Sequence, residues 1–137
     1  MSYGFARGAQ MYQQVGVSSA AYADPHRLVQ MLMEGGLERI ARARGAIERG
    51  DVAEKGALIG KAIAIIDGLA ASLNHDAGGD IAANLAALYD YMQRRLLHAN
   101  LHSDVAALDE VAGLLREIKQ AWDAIPPEAR GSASAPA

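Results

Sequence analysis

The chain contains no cysteine. Disulfides and thiolate metal sites are therefore excluded, and a reducing cytoplasm suits it. Aromatic residues are scarce, with one Trp, one Phe and five Tyr among 137 residues. The core must be built from Leu, Ile, Val, Met and Ala, a mixture that favours helices. Strong charge of either sign is missing too. A net charge of −3 is too small, and of the wrong sign, for a nucleic-acid binder. No uncharged apolar run approaches the roughly 20 residues that span a bilayer, so no membrane insertion is expected. The first 20 residues lack the basic start and apolar run of a secretory signal. Catalytic spacings are missing as well. Glu-x-x-His pairs for a di-iron bundle, Gly-x-Ser-x-Gly and Gly-Lys-Ser/Thr do not occur. No catalytic residue, cofactor or metal site is expected, and the chain does not read as an enzyme.

What remains is aliphatic. Apolar residues make up 51% of the chain, enough to fold, and the length suits one domain with a real core. Residues 1–21 mix Gly, Gln, Ser and Tyr without a sustained period. They read as a mobile N-terminal arm with at most a short extra helix near Ala9 to Val15. Asp24-Pro25 is a strong helix start, with a side-chain acceptor at the N-cap and proline at the first helical position. Leu28, Leu32, Gly36, Ile40, Ala43 and Ile47 follow at helical spacing, and Gly50-Asp51 ends that helix and caps the next. A second helix is expected from Val52 to Asn74. Ala77-Gly78-Gly79 breaks it, and Asp80 caps a third that ends near Asn100. Ser103 or Asp104 caps a fourth, which Pro126-Pro127 stops. The fold class expected is all-α, an antiparallel up-down four-helix bundle over 22–126, with a disordered tail at 127–137.

Helix two stands out. Leu58, Ile59, Ile63, Ile65, Ile66 and Leu69 cannot all face one seam, so the helix must be covered on most sides. Either the bundle buries it, or a surplus apolar stripe forms an outer groove for a partner. Helix four, by contrast, has a charged face that reads as solvated surface, and Trp122 reads as a core plug. Tyr89 and Tyr91 cannot point the same way on a helix, so one joins the core and the other lies toward a flank. His98 and His102 have chelating spacing, but a helix end near Asn100 would spoil their geometry.

The stretch Ser72 to Asn100 resembles one family, the flagellar secretion chaperones FliS. Further likeness lies in Met11-Tyr12-Gln13-Gln14-Val15, Ala23-Asp24-Pro25, Leu28 to Gly36, Ala46-Ile47 and Asp51. Lys61-Ala62, Ile65-Ile66, Leu69, Leu73-Asn74 and Trp122 extend it, so that it covers about Met11 to Ile125. The family usually has Ser-Pro where this chain has Asp24-Pro25, and both cap a helix. The resemblance implies a bacterial cytoplasmic chaperone whose client is the C-terminal segment of flagellin. That segment would bind as helices and extended stretches around the outside of the bundle. Premature polymerisation would be blocked and the subunit delivered to the cytoplasmic domain of the export gate. On this basis the expected client groove comprises Ile59, Ile63, Ile66, Ala70 and Leu73 on helix two, with Tyr89, Met92 and Leu96 on helix three. Tyr12, Val15 and Tyr22 are expected to form an N-terminal lid over it. A rival reading makes the chain an oligomerisation or adaptor module that uses the same stripe in a weak homodimer.

Overall fold

The computed structural model describes residues 24–133. Five helices follow one another: α1 (Pro25–Arg49), α2 (Val52–Ala71), α3 (His75–His102), α4 (Val105–Asp123) and the short α5 (Pro127–Ala133). Along α1 to α4 each helix packs on the next, and α1 closes the ring against α4. The architecture is the antiparallel up-down four-helix bundle expected from the helix lengths and short loops.

Local chemistry sets most of the boundaries. The Asp24 carboxylate accepts from the amides of His26 and Arg27 at 3.1 and 3.2 Å. Gly50 ends α1 in the left-handed region at φ 71°, where its amide reaches the carbonyls of Ala46 and Ile47. Asp51 then caps α2 through the Glu54 amide at 3.1 Å, and Asp104 caps α4 through that of Ala107 at 3.2 Å.

Three boundaries differ from expectation. Helix α2 stops at Ala71, because Asn74 is a cap and not a helical residue: its side-chain oxygen accepts from the Ala77 amide at 3.0 Å. An asparagine that captures a nearby amide starts a new helix more readily than it continues an old one. One turn forms at once from His75, ahead of the glycines. The chain then kinks at Gly79 (φ 50°, ψ −125°), a conformation that a side chain would disfavour, and the helix resumes behind it. At its other end α3 runs on to His102. Ser103 takes the left-handed position at φ 49°, and its hydroxyl accepts from Lys55 Nζ at 2.9 Å. In the stretch expected to be a disordered tail, Pro127 opens a short helix. The amides of Ala129 and Arg130 bond to the Pro126 carbonyl at 2.9 and 3.2 Å. Arg130 Nε also donates to the Ile125 carbonyl at 2.9 Å.

The core runs the length of the bundle. Leu32, Ile59, Ile66, Met92, Leu96, Leu108 and Leu115 are fully buried within it. Gly36 lets α1 approach two neighbours closely: a Cβ there would lie 3.2 Å from Leu115 Cδ2 and 3.5 Å from Ile65 Cγ2. Gly60 and Gly113 have no such role, since a Cβ at either would meet no atom within 4 Å. Gly60→Ala and Gly113→Ala should therefore each stabilise the bundle by about 0.5–1 kcal/mol, the helix-interior difference between the two residues. Urea unfolding will show an unchanged slope and a higher midpoint. A lower midpoint would mean that the backbone needs glycine there.

Candidate functional site

Helix α2 carries aliphatic residues on most of its circumference, so its neighbours decide which side faces out. Ile59, Ile65, Ile66, Leu58 and Leu69 turn inward. Opposite them, at alternating steps of four and three, lie Ala53, Ala57, Gly60, Ala64 and Ala71, with Asp67 the one charged residue in the row. The outward face is a floor of small side chains. The surplus isoleucine is inside, and no isoleucine ridge faces solvent.

The eight residues expected to line a groove therefore divide. Ile59, Ile66, Tyr89, Met92 and Leu96 lie in the core, none more than 2% exposed. Ile63, Ala70 and Leu73 are half-buried and pack against the core from its edge. Tyr12, Val15 and Tyr22 lie outside the described residues.

Other residues form the accessible apolar surface. Leu97 and Leu101 on α3 are 51% and 71% exposed, and Val52 on the first turn of α2 is 70% exposed. Two contacts set the antiparallel register between these helices. Gln93 Nε2 donates to the Ile63 carbonyl at 3.3 Å, and Lys55 Nζ reaches Ser103 Oγ. Leu97 and Leu101 continue the i+4 row of α3 that begins at Gln93, whose side chain reaches α2. Ile81, 72% exposed, stands near the far end of α3. The outer surface along α2 and α3 thus forms a strip that combines alanine and glycine with exposed leucine and valine. Small residues admit a backbone closely, and the exposed leucine and valine offer apolar area to bury. The sequence did carry a signal for the exposed leucines. In the doublet Leu96-Leu97 only one leucine can face the core.

The flank of α3 toward α4 is polar and internally satisfied. Tyr91 donates its hydroxyl to Glu110 Oε2 at 2.6 Å, and Arg95 Nε donates to Glu110 Oε1 at 2.8 Å. These bonds hold the Glu110 carboxyl below the usual carboxylate range. The Arg94 guanidinium lies 5.7 Å from the centre of the Tyr91 ring. Tyr89 is the core partner, and burial pushes its hydroxyl up to about 12. The pair divides into core and flank as the spacing predicts.

Because α3 extends to His102, the two histidines keep helical geometry, contrary to expectation. Their rings lie 4.6 Å apart, and His98 Nε2 is 3.1 Å from Asp104 Oδ2. Among the described residues no group of three or more His, Cys, Asp or Glu is placed to hold a metal ion. Among them, too, no helix is long and apolar enough to cross a membrane.

The fold is an all-α four-helix bundle with exposed leucines on one flank. The family model described as flagellar protein FliS matches residues 8–129. Flagellar secretion chaperone FliSB of Pseudomonas aeruginosa is 52% identical over 120 residues, spanning 87% of this chain and 95% of that one. Flagellar secretion chaperone FliS of Salmonella typhimurium is 52% identical over 126 residues, spanning 90% of this chain and 93% of its own length. The Bacillus subtilis protein of the same name is 39% identical over 111 residues, spanning 81% and 80%. The chain belongs to the FliS family, and an export-chaperone role goes with that membership.

Proposed function

We propose that this protein binds the C-terminal helical segment of flagellin in the bacterial cytoplasm. It keeps that segment from polymerising early and delivers the subunit to the flagellar type III export gate. The observation that carries this reading is the strip along α2 and α3, which combines exposed Leu97, Leu101 and Val52 with alanine and glycine. An apolar stripe of this kind suits a helix-in-groove mode of recognition, with the ordering of the client offsetting part of the binding energy. Residues 1–17, with Tyr12 and Val15, serve in this reading as a lid that the client displaces, with Tyr22 at its base.

Titration calorimetry with a peptide from the C-terminal end of the host's flagellin tests it. Binding should be one to one, with a negative heat-capacity change from apolar burial. At a free peptide concentration about 100 times the dissociation constant, the bundle should gain about 2.7 kcal/mol in stability. Flagellin lacking the segment should not bind, and undiminished binding would sink the proposal. A chain without residues 1–17 should bind the peptide more tightly. Weaker binding would make that segment a contact and not a lid.

A further inference from the structure

We propose that His26 and Trp122 form a proton-operated clasp between the first turn of α1 and the last turn of α4, closed with a neutral imidazole and opened by protonation. His26 is the second residue of α1 and only 2% exposed. Its ring lies flat on the indole of Trp122, with centroids 4.8 Å apart and planes 10° from parallel. The indole Nε1–H donates to the His26 carbonyl at 3.0 Å. One residue pair thus joins, by a stack and a hydrogen bond, the places where the chain enters and leaves the four-helix bundle.

The imidazole carries a buried defect. His26 Nε2 is out of contact with water and has no hydrogen-bond partner among the described residues. In the neutral ring a bare lone pair there is tolerable. In the imidazolium it becomes a charged donor without an acceptor, which is far more costly. The first turn of a helix also disfavours positive charge. The charged groups around the ring offer little relief. Asp24, its own N-cap, is bonded to the amides of His26 and Arg27. Asp123 of α4 accepts from Gln30 Nε2 at 2.8 Å and from Lys119 Nζ at 2.7 Å. Arg130 of α5 repels a second cation. Burial chiefly, with Arg130 adding to it and Asp24 and Asp123 opposing, holds the imidazole below its ordinary 6.5.

The sign follows from linkage. The closed clasp binds the proton more weakly than the open one does. Its stability is complete above pH 6.5 and is lost as the pH falls from there toward the lower closed-state value. One proton raises the open-to-closed ratio by up to about tenfold per pH unit in that window. The residues that open are those at the seam, while the core from Leu32 to Leu115 has no part in it.

Trp122 is the only tryptophan, so its emission reports on the clasp directly. Fluorescence of the full chain should be followed from pH 8 to 5, with far-UV circular dichroism on the same samples. The expected result is an emission change with a midpoint below 6.5 and helix content preserved, absent in His26→Phe. Phenylalanine keeps a ring to stack and cannot take the proton. A ring-proton NMR titration of His26 in the unmodified chain gives the same midpoint independently, should the variant not fold. A flat emission curve to pH 5, a midpoint at or above 6.5, or an identical transition in His26→Phe would each overturn the proposal.

Discussion

Ile66→Asp is expected to abolish folding. Ile66 is fully buried on the inward face of α2, within the cluster that joins all four long helices. Truncating such a side chain costs about 2–5 kcal/mol through lost transfer energy and a residual cavity. Aspartate adds the burial of a carboxyl group with no partner, about 2 kcal/mol more even if it becomes neutral. Together these approach the whole stability of a domain, about 5–15 kcal/mol. Far-UV circular dichroism should show a largely unfolded chain at room temperature. Ile63→Asp, at the half-buried edge of the same helix, should remain helical with a lower melting temperature. Two native spectra would mean that the inward face of α2 is wrongly assigned.

A charge placed on the exposed strip should have the opposite profile, leaving the fold intact while binding is lost. Leu97→Glu combined with Leu101→Glu alters two exposed side chains on one row of α3. No core contact is lost, so the melting temperature should hold within a few degrees. If the strip is the client surface, each leucine contributes about 1.5–3 kcal/mol on burial, and a carboxylate in its place must be desolvated. A combined loss of about 3 kcal/mol or more corresponds to at least about a hundredfold weaker binding of the flagellin peptide. The calorimetric titration on the unmodified chain and the double variant measures it. Equal affinities would move the client surface off this flank, whatever the family's role.

These two substitutions also mark what could be read in the chain before its fold was known. Ile66 and Leu97 are both aliphatic residues on predicted helices, and helical spacing alone makes either a candidate for core or surface. On α3 the doublet Leu96-Leu97 could have resolved the matter, because only one of two adjacent residues can face inward. On α2 no such signal exists. Isoleucine, leucine, alanine and glycine surround the helix, with few charges to mark a solvent side.

The number and order of the four long helices, and most of their caps, were determined by the sequence itself. Asp24-Pro25, Gly50-Asp51 and Asp104 act on amides and carbonyls within one turn, so their effects need no distant partner. The cap at Asn74 is equally local, although the glycines after it point to a break further along the chain. The division of Tyr89 and Tyr91 between core and flank also followed from helical geometry. Only the tertiary structure decided which face of α2 is outward, which rings touch, and that the nitrogen of His26 is buried without a partner among the described residues. Those outcomes depend on residues up to 96 positions apart, as the Trp122–His26 bond is. Capping is an interaction between neighbours along the chain. The orientation of a helix apolar on most sides is set by what three other helices leave uncovered.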